Sequence, residues 1–294
     1  GRGSPPADTA WSPASATASP VAPPPARCRV TEPAIRGLDV RAPGRARIRW
    51  EIAIVLGLSL GQSAVYSIVA ILNRLTLEVP LAEQTATLNP SRSSREIFDL
   101  IYQLLSIGFA LVPVVLVGFL LWSSQRPHLG RLGIDGTRPA RDVLWGAALA
   151  LGIGIPGIGV YLAGRALGLS VAVDPSGLNA YWWTIPVLLL SALRAALQEE
   201  VIVLGYLFAR LGDLAWRRWT IIISAAVLRG SYHLYQGVGA FFGNVAMGIL
   251  FGWIYSRTRR VVPFIVAHLL LDAAIFVGYP WAAAAFPELF GLPG

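Results

Sequence analysis

From Arg49 onward the chain alternates long apolar runs with short polar connections. Runs of about 17–25 apolar residues have the length at which a helix, rising about 1.5 Å per residue, crosses the hydrocarbon core of a bilayer. The pattern predicts spans near residues 51–73, 99–122, 143–163, 182–209, 219–236, 241–256 and 261–279. The apolar stretch "WAAAAFPELFGL" after them is a candidate last half-span. Backbone polar groups in lipid must be satisfied within the segment, so the expected fold is an all-α, polytopic integral membrane helical bundle of about seven to eight transmembrane helices.

Residues 1–47 do not share the pattern. The stretch "GRGSPPADTAWSPASATASPVAPPPARCRV" is rich in Pro, Ala and Ser and poor in large apolar groups. Such a segment is expected to be disordered, and without an apolar h-region it is not expected to be a secretory signal. The organisation that follows is a Pro/Ala/Arg-rich tail at 1–47, N-terminal transmembrane helices at 48–180, a polar-bearing core at 181–280 and a short apolar C-terminal segment at 281–294.

Composition agrees with the periodicity. Of 294 residues, 55% are hydrophobic and 14% charged, with a mean hydropathy of +0.59, which is more apolar side chain than a soluble core of this length uses. A single cysteine, Cys28, excludes an intramolecular disulfide framework and a cysteine-based zinc site. The net charge of +8 does not indicate nucleic acid, because the arginines fall in the N-terminal tail and in short connections instead of forming one patch. The tail and the connections 123–142, 210–218 and 257–260 are arginine-rich, whereas 74–98 is balanced, 164–181 holds only Arg165 and 237–240 has no charge. This unbroken alternation predicts a cytoplasmic N-terminus. Arginine as the sole basic residue, with abundant Ala, Gly and Pro, points to a GC-rich bacterial genome and hence a bacterial cell membrane.

Charges inside spans are costly and call for explanation. They are Arg194, Glu199, Glu200, Arg229, His233, His268 and Asp272, and all but the first lie between 199 and 272. Arg229 and His233 are four apart, as are His268 and Asp272, so each pair shares a helix face. Three polar faces in lipid are expected to turn toward one another. The spacings "GAFFG" (239–243) and "GILFG" (248–252) would let the sixth span approach its neighbours closely.

A desolvated glutamate can take a proton from water near neutral pH, a histidine can hold that water, and a second polar pair can stabilise a developing oxyanion. Ser191, Ser224 and Ser231 stand in no nucleophile motif, so water is the expected nucleophile. Arg194 shares no face with either glutamate and is expected to be structural or snorkelling. Trp182, Trp183, Trp216 and Trp219 are expected to be interfacial anchors, Tyr232, Tyr235 and Gln236 to serve packing, with lining of the site as the alternative, and His128 to be solvated.

The segments "EEVIVLGYL", "RGSYHLYQG" and "HLLLD", in this order on successive helices, resemble the CPBP intramembrane proteases, the CAAX protease and bacteriocin-processing (Abi) family. Their pattern is E-E-x-x-x-R, then F-x-x-x-H, then H-x-x-x-[N/D]. Glu199, Glu200, His233, His268 and Asp272 match it over roughly residues 180–280. The arginine position is Leu204 and the phenylalanine position is Arg229, so Arg229 is expected to replace the missing partner of Glu200 from the neighbouring helix. The resemblance implies a CPBP-like protease core at 181–280, with Glu199 as general base, His233 helping to hold water, and His268 and Asp272 orienting the substrate carbonyl or its oxyanion. It further implies an intramembrane endopeptidase acting on membrane-associated proteins or peptides, with the lipid bilayer and no nucleic acid as surroundings. No cofactor is implied by the glutamate mechanism; zinc on the same residues is the alternative, although H-E-x-x-H is absent. Two other classes stay open, a non-catalytic membrane binding or immunity protein and a proton-coupled transporter.

Overall fold

The computed structural model describes Gly1 and residues 44–285. The expected disordered tail and the end of the C-terminal segment lie almost wholly outside the described residues. Helix begins at Arg45, slightly before the expected boundary.

Helices occupy all seven positions that the apolar runs predict. The first run is a bent pair, α1 (Arg45–Gly57) and α2 (Leu60–Leu75), which meet at 54°. Ser59 stands between them with φ −145° and ψ −121°, outside the helical region, and its hydroxyl donates to the carbonyl of Val55 at 2.6 Å. Then come α3 (Glu96–Leu120) and α4 (Pro139–Ala166), with Pro139 in the first turn, where its missing N–H costs nothing. Helix α5 (residues 184–213) changes pitch twice: it is α-helical over Thr184–Ala196, π-helical over Leu197–Leu207 and α-helical again over Phe208–Asp213. It is followed by α6 (Arg218–Tyr232) and α7 (Val238–Thr258). Last is α8 (residues 262–285), which passes through a short π turn at Ala274–Gly278.

By length and composition four helices can cross a membrane, namely α3, α4, α7 and α8 over Val262–Ala282, and the bent α1–α2 pair can serve as a fifth. The uninterrupted α-helical parts of α5 and α6 are shorter, at 13 and 15 residues. Large apolar side chains of α3 and α4 face outward; Phe109, Phe119 and Ile155 are each at least 70% exposed. An exposed apolar surface of this kind suits hydrocarbon as its solvent.

Contacts among the connections sort them into two ends of the bundle. At one end Arg45 donates to the carbonyl of Leu214, Arg131 pairs with Asp213, Arg210 with Glu51, and Arg260 with both Asp135 and Asp142. At the other, β1 (Thr85–Thr87) and β2 (Ala172–Asp174) form a two-stranded parallel ladder with Ala86 opposite Val173. There Arg165 donates to the carbonyl of Ala82, and the Val171 N–H to that of Gln236. The first set contains the arginine-rich connections and the second the balanced or nearly uncharged ones. The alternation read from charge thus matches the division of connections between ends.

The core lies where α5 meets α6, α7 and α8. Val201, Ile202, Val203 and Leu204 of the π segment are buried with Ile222, Phe251 and Phe264. Phe208 meets Tyr255 edge-on at 5.2 Å, and Phe251 meets Phe264 at 4.9 Å. The two small-residue spacings of α7 serve different neighbours. A Cβ on Gly248 would lie 2.8 Å from the Cα of Ala226 in α6, whereas one on Gly243 would lie 3.3 Å from Val160 of α4. Small residues let α7 wedge between those helices at backbone distance.

Candidate active site

The π segment places the two glutamates. In an α-helix adjacent side chains diverge by about 100°; in a π-helix each N–H reaches the carbonyl five residues back, so a turn holds more residues and neighbours diverge less. Glu199 and Glu200 can therefore both reach toward α6 and α8. Gln198, which the same turn also buries, receives Arg194 at 3.2 Å, and among the described residues Arg194 makes no hydrogen bond or ion pair to either glutamate.

Glu200 is fully buried, at 0% exposure. Its Oε1 accepts from Arg229 Nη2 at 2.5 Å and faces His268 Nδ1 at 2.7 Å. Arg229 comes from α6, is itself 1% exposed, and lies 5.4 Å above the Phe251 ring. Leu204, at the position where the family pattern has arginine, is packed in the core. The guanidinium at Glu200 thus comes from a neighbouring helix. A buried carboxylate is tolerable in this setting because one oxygen gains a cation and a second donor. Two atoms of the pair, Glu200 Oε2 and Arg229 Nη1, are buried without a hydrogen-bond partner among the described residues.

Glu199 sits one position nearer the start of the π segment and is partly open. Its Oε2 accepts from the Tyr232 hydroxyl at 2.8 Å and lies 3.8 Å from His233 Nε2. His233 is the residue at which α6 ends, with φ −100° and ψ 0°. This sparsely populated backbone region recurs in active-site residues, and it lets the imidazole turn back toward the helix that precedes it. Both ring nitrogens are buried without a hydrogen-bond partner among the described residues. Tyr232, just before it, is anchored from behind by Ser67 of α2, whose hydroxyl donates to the Tyr232 carbonyl at 2.8 Å.

His268 and Asp272 come one turn apart from α8, with Nε2 3.5 Å from Asp272 Oδ2. One imidazole therefore spans the two carboxylates, Glu200 at one nitrogen and Asp272 at the other. The residues gathered are Glu199, Glu200, Arg229, His233, His268 and Asp272, from the consecutive helices α5 and α6 and from α8, which follows after α7. Ligand atoms of Glu199, Glu200 and His268 lie within 4.8 Å of one another, close enough to share a metal ion.

Three sequence readings need correction. Tyr232, assigned to packing, holds Glu199 through its hydroxyl; its place beside His233 was the only signal available. Trp183, assigned to the interface with Trp182, Trp216 and Trp219, is 1% exposed: at the start of α5 it turns inward and stacks on Tyr181 at 5.2 Å, while the other three are exposed. His128, assigned to solvent, lies flat on Trp122 at 4.7 Å and contacts the Ser123 carbonyl through Nδ1 at 2.9 Å. Tyr235 and Gln236 bond to each other at 2.7 Å.

Comparison with protein families gives a match over residues 181–274 to the type II CAAX prenyl endopeptidase Rce1-like family, in agreement with the CPBP resemblance of the same segment. Neither the curated proteins nor the solved structures contain a match to the chain.

Proposed function

We propose, on the premise that residues 181–274 are similar to the Rce1-like CAAX endopeptidases, that this protein is an intramembrane endopeptidase in which Glu199 activates water. The observation that carries the reading is the gap between Glu199 Oε2 and His233 Nε2, 3.8 Å across, with neither His233 ring nitrogen hydrogen-bonded among the described residues. One water can bridge two polar atoms so placed. Glu199 takes a proton from it, the hydroxide oxygen bonds to the scissile carbonyl carbon, and the carbonyl π pair moves onto oxygen. When the tetrahedral species collapses, the C–N bond breaks and the proton held by Glu199 passes to the leaving nitrogen. A His268 ring donating to Glu200 at Nδ1 presents Nε2 beside Asp272; with both nitrogens protonated it can donate to the oxyanion. Glu200 and Arg229 set the position of that ring.

The substrate class is membrane-associated proteins or peptides, and the setting a bacterial cell membrane with the arginine-rich end cytoplasmic. Zinc chemistry is the second reading, favoured by the grouping of Glu199, Glu200 and His268. It fits less well, because Glu200 Oε1 already serves Arg229 at 2.5 Å and His268 at 2.7 Å, so a dication there would sit beside a buried guanidinium. Purified protein in liposomes, with a fluorogenic peptide panel, distinguishes the two. Cleavage lost in Glu199→Ala and His233→Ala and indifferent to chelator supports the glutamate mechanism, and cleavage abolished by chelator supports zinc. Full cleavage by Glu199→Ala would refute the proposal.

A further inference from the structure

At the arginine-rich end a cleft of about 370 Å³ opens between the last turns of α5 and α7 and the first turn of α6. It has room for on the order of a dozen water molecules, the scale of a headgroup and not of an acyl chain. Its polar wall holds Arg131, Arg218, Arg259 and a single carboxylate, Asp213. Asp213 is already shared, receiving Arg131 at 2.7 Å and Arg210 at 3.1 Å. Arg218 and Arg259 have no ion pair among the described residues.

Three further features point to an anion. Helix α6 opens with Arg217 and Arg218, has no acidic residue in its first turn and no side-chain cap. Cations at the positive end of a helix are unfavourable unless an anion compensates them. Arg259 is left-handed, at φ 53°, a position after α7 where glycine is the usual choice. The strain of keeping a side chain there is explained if the side chain is used. Finally, the floor of the cleft is apolar, with Phe208 and Ile221, and exposed Trp216 and Trp219 mark this level as the membrane interface.

We propose that this cleft binds the phosphate of an anionic lipid headgroup, with Arg218 and Arg259 as its direct ligands, Arg131 at the rim and the apolar floor beneath the glycerol. The shared chemistry is an oxyanion of phosphorus; the apolar floor favours a lipid over a free ion.

Native mass spectrometry of the full chain in detergent tests this, with phosphatidylglycerol, phosphatidylcholine or inorganic phosphate added at matched concentration. One retained phosphatidylglycerol is expected, with phosphatidylcholine not retained. Arg218→Ala/Arg259→Ala should weaken retention roughly thirtyfold, about a factor of five per charge. Arg138→Ala/Arg141→Ala, which removes two exposed arginines at the same end outside the cleft, should leave it unchanged. Ser256→Asp, which adds a carboxylate to the cleft and leaves both arginines in place, should abolish it. Competition by inorganic phosphate at equal concentration would assign the site to free phosphate. Equal retention by the cleft and control variants, or by phosphatidylcholine, would overturn the proposal.

Discussion

Two ionic clusters in this protein are built from the same groups in opposite proportion. At the arginine-rich end one guanidinium serves two carboxylates: Arg260 donates Nε and Nη2 to Asp142 at 2.8 and 2.5 Å, and Nη1 to Asp135 at 2.6 Å. Between α5, α6 and α8 one carboxylate oxygen of Glu200 serves two nitrogen partners, Arg229 and His268. The first cluster engages all three guanidinium nitrogens, is partly hydrated, and ties the 123–142 connection to the turn between α7 and α8. The second is buried and leaves Glu200 Oε2 and Arg229 Nη1 without hydrogen-bond partners among the described residues. Buried unsatisfied atoms beside two histidines and a second glutamate are what the proposed function, in which the cluster receives water and a carbonyl, calls for.

The comparison is broken most severely at Arg229. Arg229→Leu leaves an uncompensated carboxylate in the interior and should cost about 3–5 kcal/mol, read as a large fall in the thermal midpoint in detergent, with loss of proteolysis. A variant that inserts stably and cleaves at the wild-type rate would remove Arg229 from the role of Glu200 partner. Glu199→Gln keeps the shape and the Tyr232 contact but cannot take a proton. It should lower cleavage by roughly 10²–10⁴-fold while leaving the thermal midpoint within a few degrees of wild type. Tyr232→Phe removes the donor that fixes one oxygen of Glu199, and a fall of about tenfold in kcat with little change in KM is expected. Equal activity would return Tyr232 to a packing role.

The smallest effect belongs to the other cluster. Arg260→Ala, partly hydrated, should cost about 1 kcal/mol and leave the chemistry intact. The same pair gives a pH signature. The Arg260 guanidinium holds the Asp135 carboxyl down, from its ordinary 3.8 to about 2. Its folded value is below its unfolded one, so this contribution is fully present above about pH 4 and is lost as pH falls toward 2. Thermal midpoints of wild type should fall through that window more steeply than those of Asp135→Asn.

The segments that carry the proposed chemistry were legible because lipid makes each charge conspicuous. Glu199, Glu200, Arg229, His233, His268 and Asp272 stand out in apolar runs, and their i, i+4 spacing already pairs Arg229 with His233 and His268 with Asp272 on common faces. The side chains that escaped were those whose type has two ordinary uses. A tyrosine beside a histidine packs as often as it bonds, and a tryptophan at a span end can turn outward like Trp182 or inward like Trp183. Nor does any local rule predict eleven residues of π-helix at 197–207. The β1–β2 ladder joins three-residue strands 87 positions apart, too short for alternation to register.

The sequence by itself determined the solvent, the helical class, the alternation of the connections and the list of charged residues that a membrane interior must accommodate. These follow from composition and spacing, which act locally or through the bilayer. Which partner each charge takes was decided only in three dimensions. Glu200 is held by Arg229 and His268, and Glu199 by Tyr232, because the wider π turn brings both glutamates to one side and because α7, lined with glycine, lets α6 and its arginine come close. Those pairings depend on helix pitch and approach distance, quantities that arise only when the helices are packed.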